Sequence, residues 1–183
     1  MLDRLVESLE TCPMVMREGG YNYFIHPITD GVPIIYPALL RDVGCAMVKV
    51  LDLNNVDKIV VVEAMGIHIG IVLSTMTDIP LTVMRKRVYN LPCEVPVHQT
   101  TGYSKGELYL NGVYKGDRVV IIDDVVSTGG TMKALLKALE IAGAEVVDVC
   151  IAIQRGNPDI GRPYKSLVKI EVTEKVRVVE RYL

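Results

Sequence analysis

The residues of this sequence that could do chemistry together are concentrated in one stretch, Val119 to Thr131 (VVIIDDVVSTGGT). Its apolar start reads as a buried strand that delivers Asp123 and Asp124 to its carboxyl end. A turn of Ser127, Thr128, Gly129, Gly130 and Thr131 then opens a helix. A helix N-terminus offers unpaired backbone N–H groups and partial positive charge. The paired glycines let backbone approach an anion closely, and the hydroxyls add donors. Behind that anion, adjacent carboxylates can accept hydrogen bonds from vicinal sugar hydroxyls and place negative charge near a carbon that becomes cationic. The chemistry suited is that of a phosphorylated sugar. A capped helix with dipole-matched acids would account for a lone Asp-Asp or Gly-Gly. The full ordered string demands more.

Such a stretch needs a sheet to hold it. Lys58 to Glu63 (KIVVVE) reads as a buried strand and Gly66 to Thr77 as the helix behind it; Leu81 to Arg85 is a second strand. Arg118 to Asp123 is a third, followed by a helix from Thr128 to Ala142 that Gly143 ends, and Glu145 to Ile153 is a fourth. Short apolar strands alternating with helices predict an α/β fold, a mainly parallel sheet flanked by helices. Ligands of such sheets sit at the carboxyl ends of the strands. Function is therefore expected just after Glu63, Met84, Asp123 and Ile153, where Glu63-Ala64-Met65-Gly66, Arg85-Lys86-Arg87, the acid pair and Gln154-Arg155 lie. The stretch Arg87 to Gly106, punctuated by Pro92, Pro96, Gly102 and Gly106, is too long for an idle loop and is expected to be a lid. Tyr21 to Tyr36 and Gln154 to Leu183 look like strands and turns of a small lobe. The expectation is one domain over residues 1–183, with a core over about 37–153 and a hood from about 1–36 and 154–183.

Composition narrows the function classes. With 50% hydrophobic and 23% charged residues the chain has the makeup of a globular protein. A net charge of −2 argues against broad nucleic-acid or membrane binding. The N-terminus lacks the layout of a signal peptide and no apolar run approaches a membrane span, so a cytoplasmic protein is expected. Cys12, Cys45, Cys93 and Cys150 form no C-x-x-C pair, and His26, His68 and His98 are far apart, which argues against a metal cluster or a disulfide framework.

The string Val119–Thr131 closely resembles the signature with which type I phosphoribosyltransferases bind 5-phosphoribosyl 1-pyrophosphate (PRPP). Glu63-Ala64-Met65-Gly66 resembles that family's pyrophosphate loop, Arg85-Lys86-Arg87 the basic cluster after its next strand, and Tyr103-Ser104-Lys105-Gly106-Glu107-Leu108 the end of its mobile loop. The order of parts from Tyr21 to Arg155, with Tyr23-Phe24-Ile25-His26-Pro27 and Ile153-Gln154-Arg155-Gly156, is similar to the archaeal hypoxanthine/guanine enzymes, relatives of adenine phosphoribosyltransferase. The resemblance implies a purine salvage enzyme that joins hypoxanthine or guanine to PRPP, giving IMP or GMP and pyrophosphate. It implies Mg²⁺ bound mainly through PRPP, and a homodimer. PRPP would meet Glu63, Ala64, Met65, Gly66, Arg85, Lys86, Arg87, Asp123, Asp124, Ser127, Thr128, Gly129, Gly130 and Thr131, with Asp123, Asp124 and Lys86 in the catalytic roles. Base contacts would come from Val125, Val126, Phe24 and Arg155, and the Glu63–Ala64 peptide would be cis.

The sequence departs from relatives in places. Met65 stands where many carry arginine, Gly102 where adenine enzymes carry glutamate, and Ser127 where vertebrate-type hypoxanthine/guanine enzymes carry aspartate. The general base for the purine proton is therefore open, with Glu107 one candidate beside water or a backbone carbonyl. Phe24 fits a base contact or the hood's core equally. The competing readings are adenine or xanthine as substrate and a non-catalytic PRPP sensor; for a sensor, the residues before Tyr21 are too few for a DNA-binding module.

Overall fold

The computed structural model describes residues 1–17, 21–100 and 105–183. In chain order the elements are α1 (Asp3–Glu10), β1 (Met14–Arg17), β2 (Tyr21–Phe24), α2 (Pro27–Asp30), α3 (Pro37–Val50), β3 (Lys58–Val62), α4 (Gly66–Thr77), β4 (Leu81–Met84), β5 (Val95–Thr100), β6 (Lys105–Leu110), β7 (Arg118–Val126), α5 (Gly130–Ala142), β8 (Glu145–Arg155), β9 (Lys165–Val172) and β10 (Val176–Arg181). Six strands form the central sheet in the order β10-β9-β8-β7-β3-β4, parallel except at β10. The central strands are almost wholly apolar because both faces are covered. On one face α1, α3 and α4 bury Leu5, Leu9, Val43, Met47, Ile69 and Leu73 against Ile59, Val61, Val120 and Ile122. On the other, α5 and the β5–β6 hairpin bury Leu135, Leu139, Val97, Leu108 and Leu110 against Val60, Val62, Val119 and Ile121. No helix of the described residues is long and apolar enough to cross a membrane.

The expected alternation is present, with informative shifts at the site. β7 does not stop at Asp123: its pairing with β8 continues through Val125↔Ile153 to Val126↔Gln154, and α5 begins at Gly130. β-branched Val125 and Val126 prolong the ladder, and the glycines delay the helix. The acid pair thus lies inside the strand's last turn of pleat and is held by it. The terminal segments also depart from expectation. They meet, with β2 against β9 and α1 against β10. However, β9 and β10 are hydrogen-bonded extensions of the main sheet, so the C-terminal half of the expected hood is sheet edge. Val168 and Ile170 there are as buried as any core strand.

Of the stretch expected to be a lid, residues 87–93 are exposed, while Val97 and Gln99 are buried. β5 and β6 pair antiparallel, and their inner faces join the apolar layer over α5. Gly102, Tyr103 and Ser104 lie outside the described residues. The run 86–93 is exposed beside the crevice.

Candidate active site

The sheet reverses its winding between β3 and β7, and the crevice outside their carboxyl ends is where a ligand belongs. Three segments meet there. The first is the turn after β7: Asp123, Val125, Val126, Ser127, Thr128, Gly129, Gly130, Thr131 and Met132 line a cavity of about 220 Å³. No side chain caps the N-terminus of α5 there, which leaves its first N–H groups directed at the cavity mouth. Gly129 has φ +78°, and a Cβ at that position would come within 3.1 Å of Ile160 Cγ2 and 3.2 Å of the Asp159 carbonyl oxygen. Both backbone angle and space require glycine.

The second segment is the turn after β3. The Glu63–Ala64 peptide is cis, in line with the resemblance. Gly66 packs so closely on Asp123 that a Cβ would lie 3.0 Å from its Oδ1, so α4 begins against the acid pair. The third is the basic run after β4. Glu63 Oε1 accepts a hydrogen bond from the Lys86 backbone N–H. Glu63 Oε2 lies 2.9 Å from Arg85 Nε, an ion-pair distance off the direction a hydrogen bond needs. Glu63 therefore organises the basic run, and the Arg85 charge is partly spent on it. Lys86 and Arg87 are exposed at the crevice edge.

Asp123 and Asp124 are only 7% and 8% exposed. Burial raises both carboxyls, and for Asp124 the negative charges of Asp123 and, more weakly, Asp30 add to the effect. Two adjacent buried acids, with no cation paired to them among the described residues, form a costly arrangement that a ligand with several hydroxyl donors would relieve.

The expected base contacts do not all converge. Val125 packs with the layer that also holds Ile153, and Arg155, paired with Ile170, lies further along that face. Val126 is buried in the opposite layer, because neighbours on a strand face opposite ways. Phe24 is 5% exposed within the core against Tyr23 and lends the crevice little ring surface. Val126 nevertheless also lines the cavity after β7. Burial lowers the Arg155 pKa from its ordinary value. The carboxylate of Glu107, one of the candidates for the general base, accepts from Tyr109 Oη and lies 3.7 Å from His98 Nδ1, on the outer face of the hairpin.

Two neighbours of the site escaped the sequence reading. Asp30 takes hydrogen bonds from Tyr23 Oη, Thr29 Oγ1 and the His26 backbone N–H, and its charge reaches Asp124. Gln99, buried in β5, donates through Nε2 to Thr131 Oγ1 in the cavity wall. The period-two pattern of Val95, Val97 and Gln99 was the available signal: one polar residue on an apolar strand face.

A profile of the family described as "Phosphoribosyl transferase domain" matches residues 35–181. The chain belongs to the phosphoribosyl transferase family. It is 72% identical over 182 residues, and over the full length of both chains, to a hypoxanthine/guanine phosphoribosyltransferase of Methanosphaerula palustris. It is 62% identical to the protein of that name from Methanocorpusculum labreanum, with 98% of each chain covered. Among solved structures, an adenine phosphoribosyltransferase of Thermoanaerobacter pseudethanolicus superposes with TM-score 0.75 at 23% identity, covering 92% of this chain and 99% of that one. A purine phosphoribosyltransferase of Pyrococcus horikoshii gives TM-score 0.57 at 23% identity, over 77% and 87%. These superpositions show that the phosphoribosyltransferase fold is shared.

Proposed function

We propose that this phosphoribosyltransferase uses PRPP and a 6-oxopurine, hypoxanthine or guanine, to form the purine mononucleotide and pyrophosphate. We further propose that it works as a cytoplasmic homodimer. The observation that carries the reading is the uncapped α5 turn facing a buried acid pair, in a chain so close over its whole length to enzymes named for those bases.

In this reading the N–H groups of the α5 turn and the hydroxyls of Ser127, Thr128 and Thr131 bind the 5-phosphate. Asp123 and Asp124 accept hydrogen bonds from the ribose hydroxyls, and their charge stabilises the cationic sugar as the bond to pyrophosphate breaks and the base nitrogen takes its place. The turn over residues 63–66 offers N–H groups to the leaving group, while Lys86 and Arg87 neutralise its charge. Among the described residues no three His, Cys, Asp or Glu gather to hold a metal by themselves. That donor set suits Mg²⁺, which keeps water and phosphate ligands and needs one or two carboxylates at most. Asp123 and Asp124 are the residues that would hold it, and when bound it supplies charge neutralisation to the diphosphate.

Val125 would lie against the base and Arg155 would donate to O6 and N7 of a 6-oxopurine. Adenine would set an amino donor against that guanidinium, and a site built on such a hydrogen bond can reject the wrong base by about 10⁴-fold. The test is kcat/KM for hypoxanthine and adenine in wild type and Arg155→Met. The expected result is a hypoxanthine preference that collapses in the variant. Wild-type preference for adenine would refute the substrate, and an unchanged preference in the variant would remove Arg155 from the site.

A further inference from the structure

The β5–β6 hairpin is tied down at two places. Near its base, Arg85 and Tyr109 exchange backbone hydrogen bonds of 3.0 and 2.7 Å, which fastens the hairpin to the start of the basic run. Toward its tip the Gln99 amide reaches Thr131. Gln99 is 9% exposed and follows Val95 and Val97 on the inner strand face. The residue opposite it on β6 is Gly106, so no side chain competes for that space. A buried amide on an apolar face costs free energy unless it is hydrogen-bonded, so its direction is fixed by its partner.

That partner is a hydroxyl in the wall of the cavity proposed for the 5-phosphate. An amide NH₂ group can only donate, so Thr131 Oγ1 is the acceptor and its own proton must be directed elsewhere. A phosphate oxygen in the cavity is the strong acceptor available to it. A hydroxyl already accepting from an amide is also the better donor, because bonds in such a chain polarise one another. Resting on the PRPP reading above, we propose that Gln99 is a positioning residue for the 5-phosphate. It holds the Thr131 hydroxyl with its proton presented to the phosphate and thereby couples the hairpin to occupancy of the phosphate turn.

The prediction distinguishes ligands by whether they carry that phosphate. PRPP and the product mononucleotide do; the free base and pyrophosphate do not. Removing the amide in Gln99→Leu should raise KM about tenfold for PRPP in the forward direction and for the mononucleotide in reverse, the worth of one hydrogen bond to a charged group. KM for base and for pyrophosphate should stay within about twofold. Gln99→Glu keeps the shape but turns the donor into an acceptor and should be worse for the same two ligands. In a Thr131→Ala background, Gln99→Leu should add less than about twofold, because the two act through one hydroxyl. Retained native circular dichroism identifies variants fit for comparison, and the isosteric Gln99→Glu decides if Gln99→Leu does not fold. Unchanged PRPP and nucleotide KM, an equal rise for all four substrates, or full additivity with Thr131→Ala would each overturn the proposal. Wild-type protein without PRPP turnover would instead bring down the functional reading, and the inference with it.

Discussion

Replacing Asp123 by Asn should make the ligand-free protein more stable and far less active. Asp123 is 7% exposed, and burial pushes its carboxyl from 3.8 up to about 6. An acid whose folded pKa lies above its unfolded value binds more protons when folded. Its charge is therefore a burden that is absent below the unfolded pKa, grows as pH rises through the window from 3.8 to about 6, and is complete above it. A shift of that size corresponds to roughly 3 kcal/mol at neutral pH. The amide keeps a carbonyl acceptor for the Asp124 N–H but weakens that bond by about 1 kcal/mol. The net gain is about 2 kcal/mol, or roughly 4–8 °C in Tm for a domain of this length. Loss of one aimed negative charge at the reacting carbon should lower turnover by about 10² or more. Urea unfolding of wild type and Asp123→Asn without ligand at pH 8 and pH 4.5 checks the energetics. The variant should be more stable at pH 8 and the difference should shrink at pH 4.5. A variant less stable at pH 8, or a gain that does not depend on pH, would refute the reasoning.

Two further outcomes follow from the packing. Leu108→Ala, at a wholly buried position on the inner face of the hairpin, should cost about 2–4 kcal/mol in chemical unfolding; a cost under about 0.5 kcal/mol would show that the hairpin is a detached lid. His26 is fully buried, caps α2 by accepting from the Ile28 N–H at Nδ1, and has Nε2 2.9 Å from Ser8 Oγ, while burial pulls its pKa from 6.5 down to about 4. A His with a depressed folded pKa binds fewer protons when folded, so its contribution of about 3 kcal/mol is present above pH 6.5 and lost as pH falls toward 4. The stability of His26→Gln should fall less steeply over that window, and an equal slope would contradict the assignment.

Much of the candidate site was readable in the sequence because its parts are local. Strand, acid pair, glycines and hydroxyls of the turn after β7 are contiguous, so periodicity and turn chemistry place them without knowledge of the rest. The contacts that were missed are long-range. Gln99 meets Thr131 across 32 residues of sequence, and Glu63 reaches Lys86 across 23. The Arg87–Gly106 stretch was read as a lid from its length and its Pro and Gly; what that reading lacked is the pairing of its Val95 and Val97 with Leu110 and Leu108, which gives the hairpin an apolar inner face. The C-terminal strands were read as part of a hood within the one domain, because sequence pattern gives strands but not the sheet they join; β9 and β10 extend the main sheet. Val126 was read as a base contact and Phe24 as either a base contact or hood core; Val126 packs in the layer opposite Val125 while also lining the cavity, and Phe24 packs in the core.

The central claim is most directly tested by incubating the wild-type protein with PRPP, Mg²⁺ and each of hypoxanthine, guanine, adenine, xanthine and uracil, and measuring mononucleotide and pyrophosphate together. The account predicts equal amounts of the two products, with hypoxanthine and guanine used far better than the other bases. Pyrophosphate without nucleotide, no turnover with any base, or adenine as the preferred substrate would contradict it.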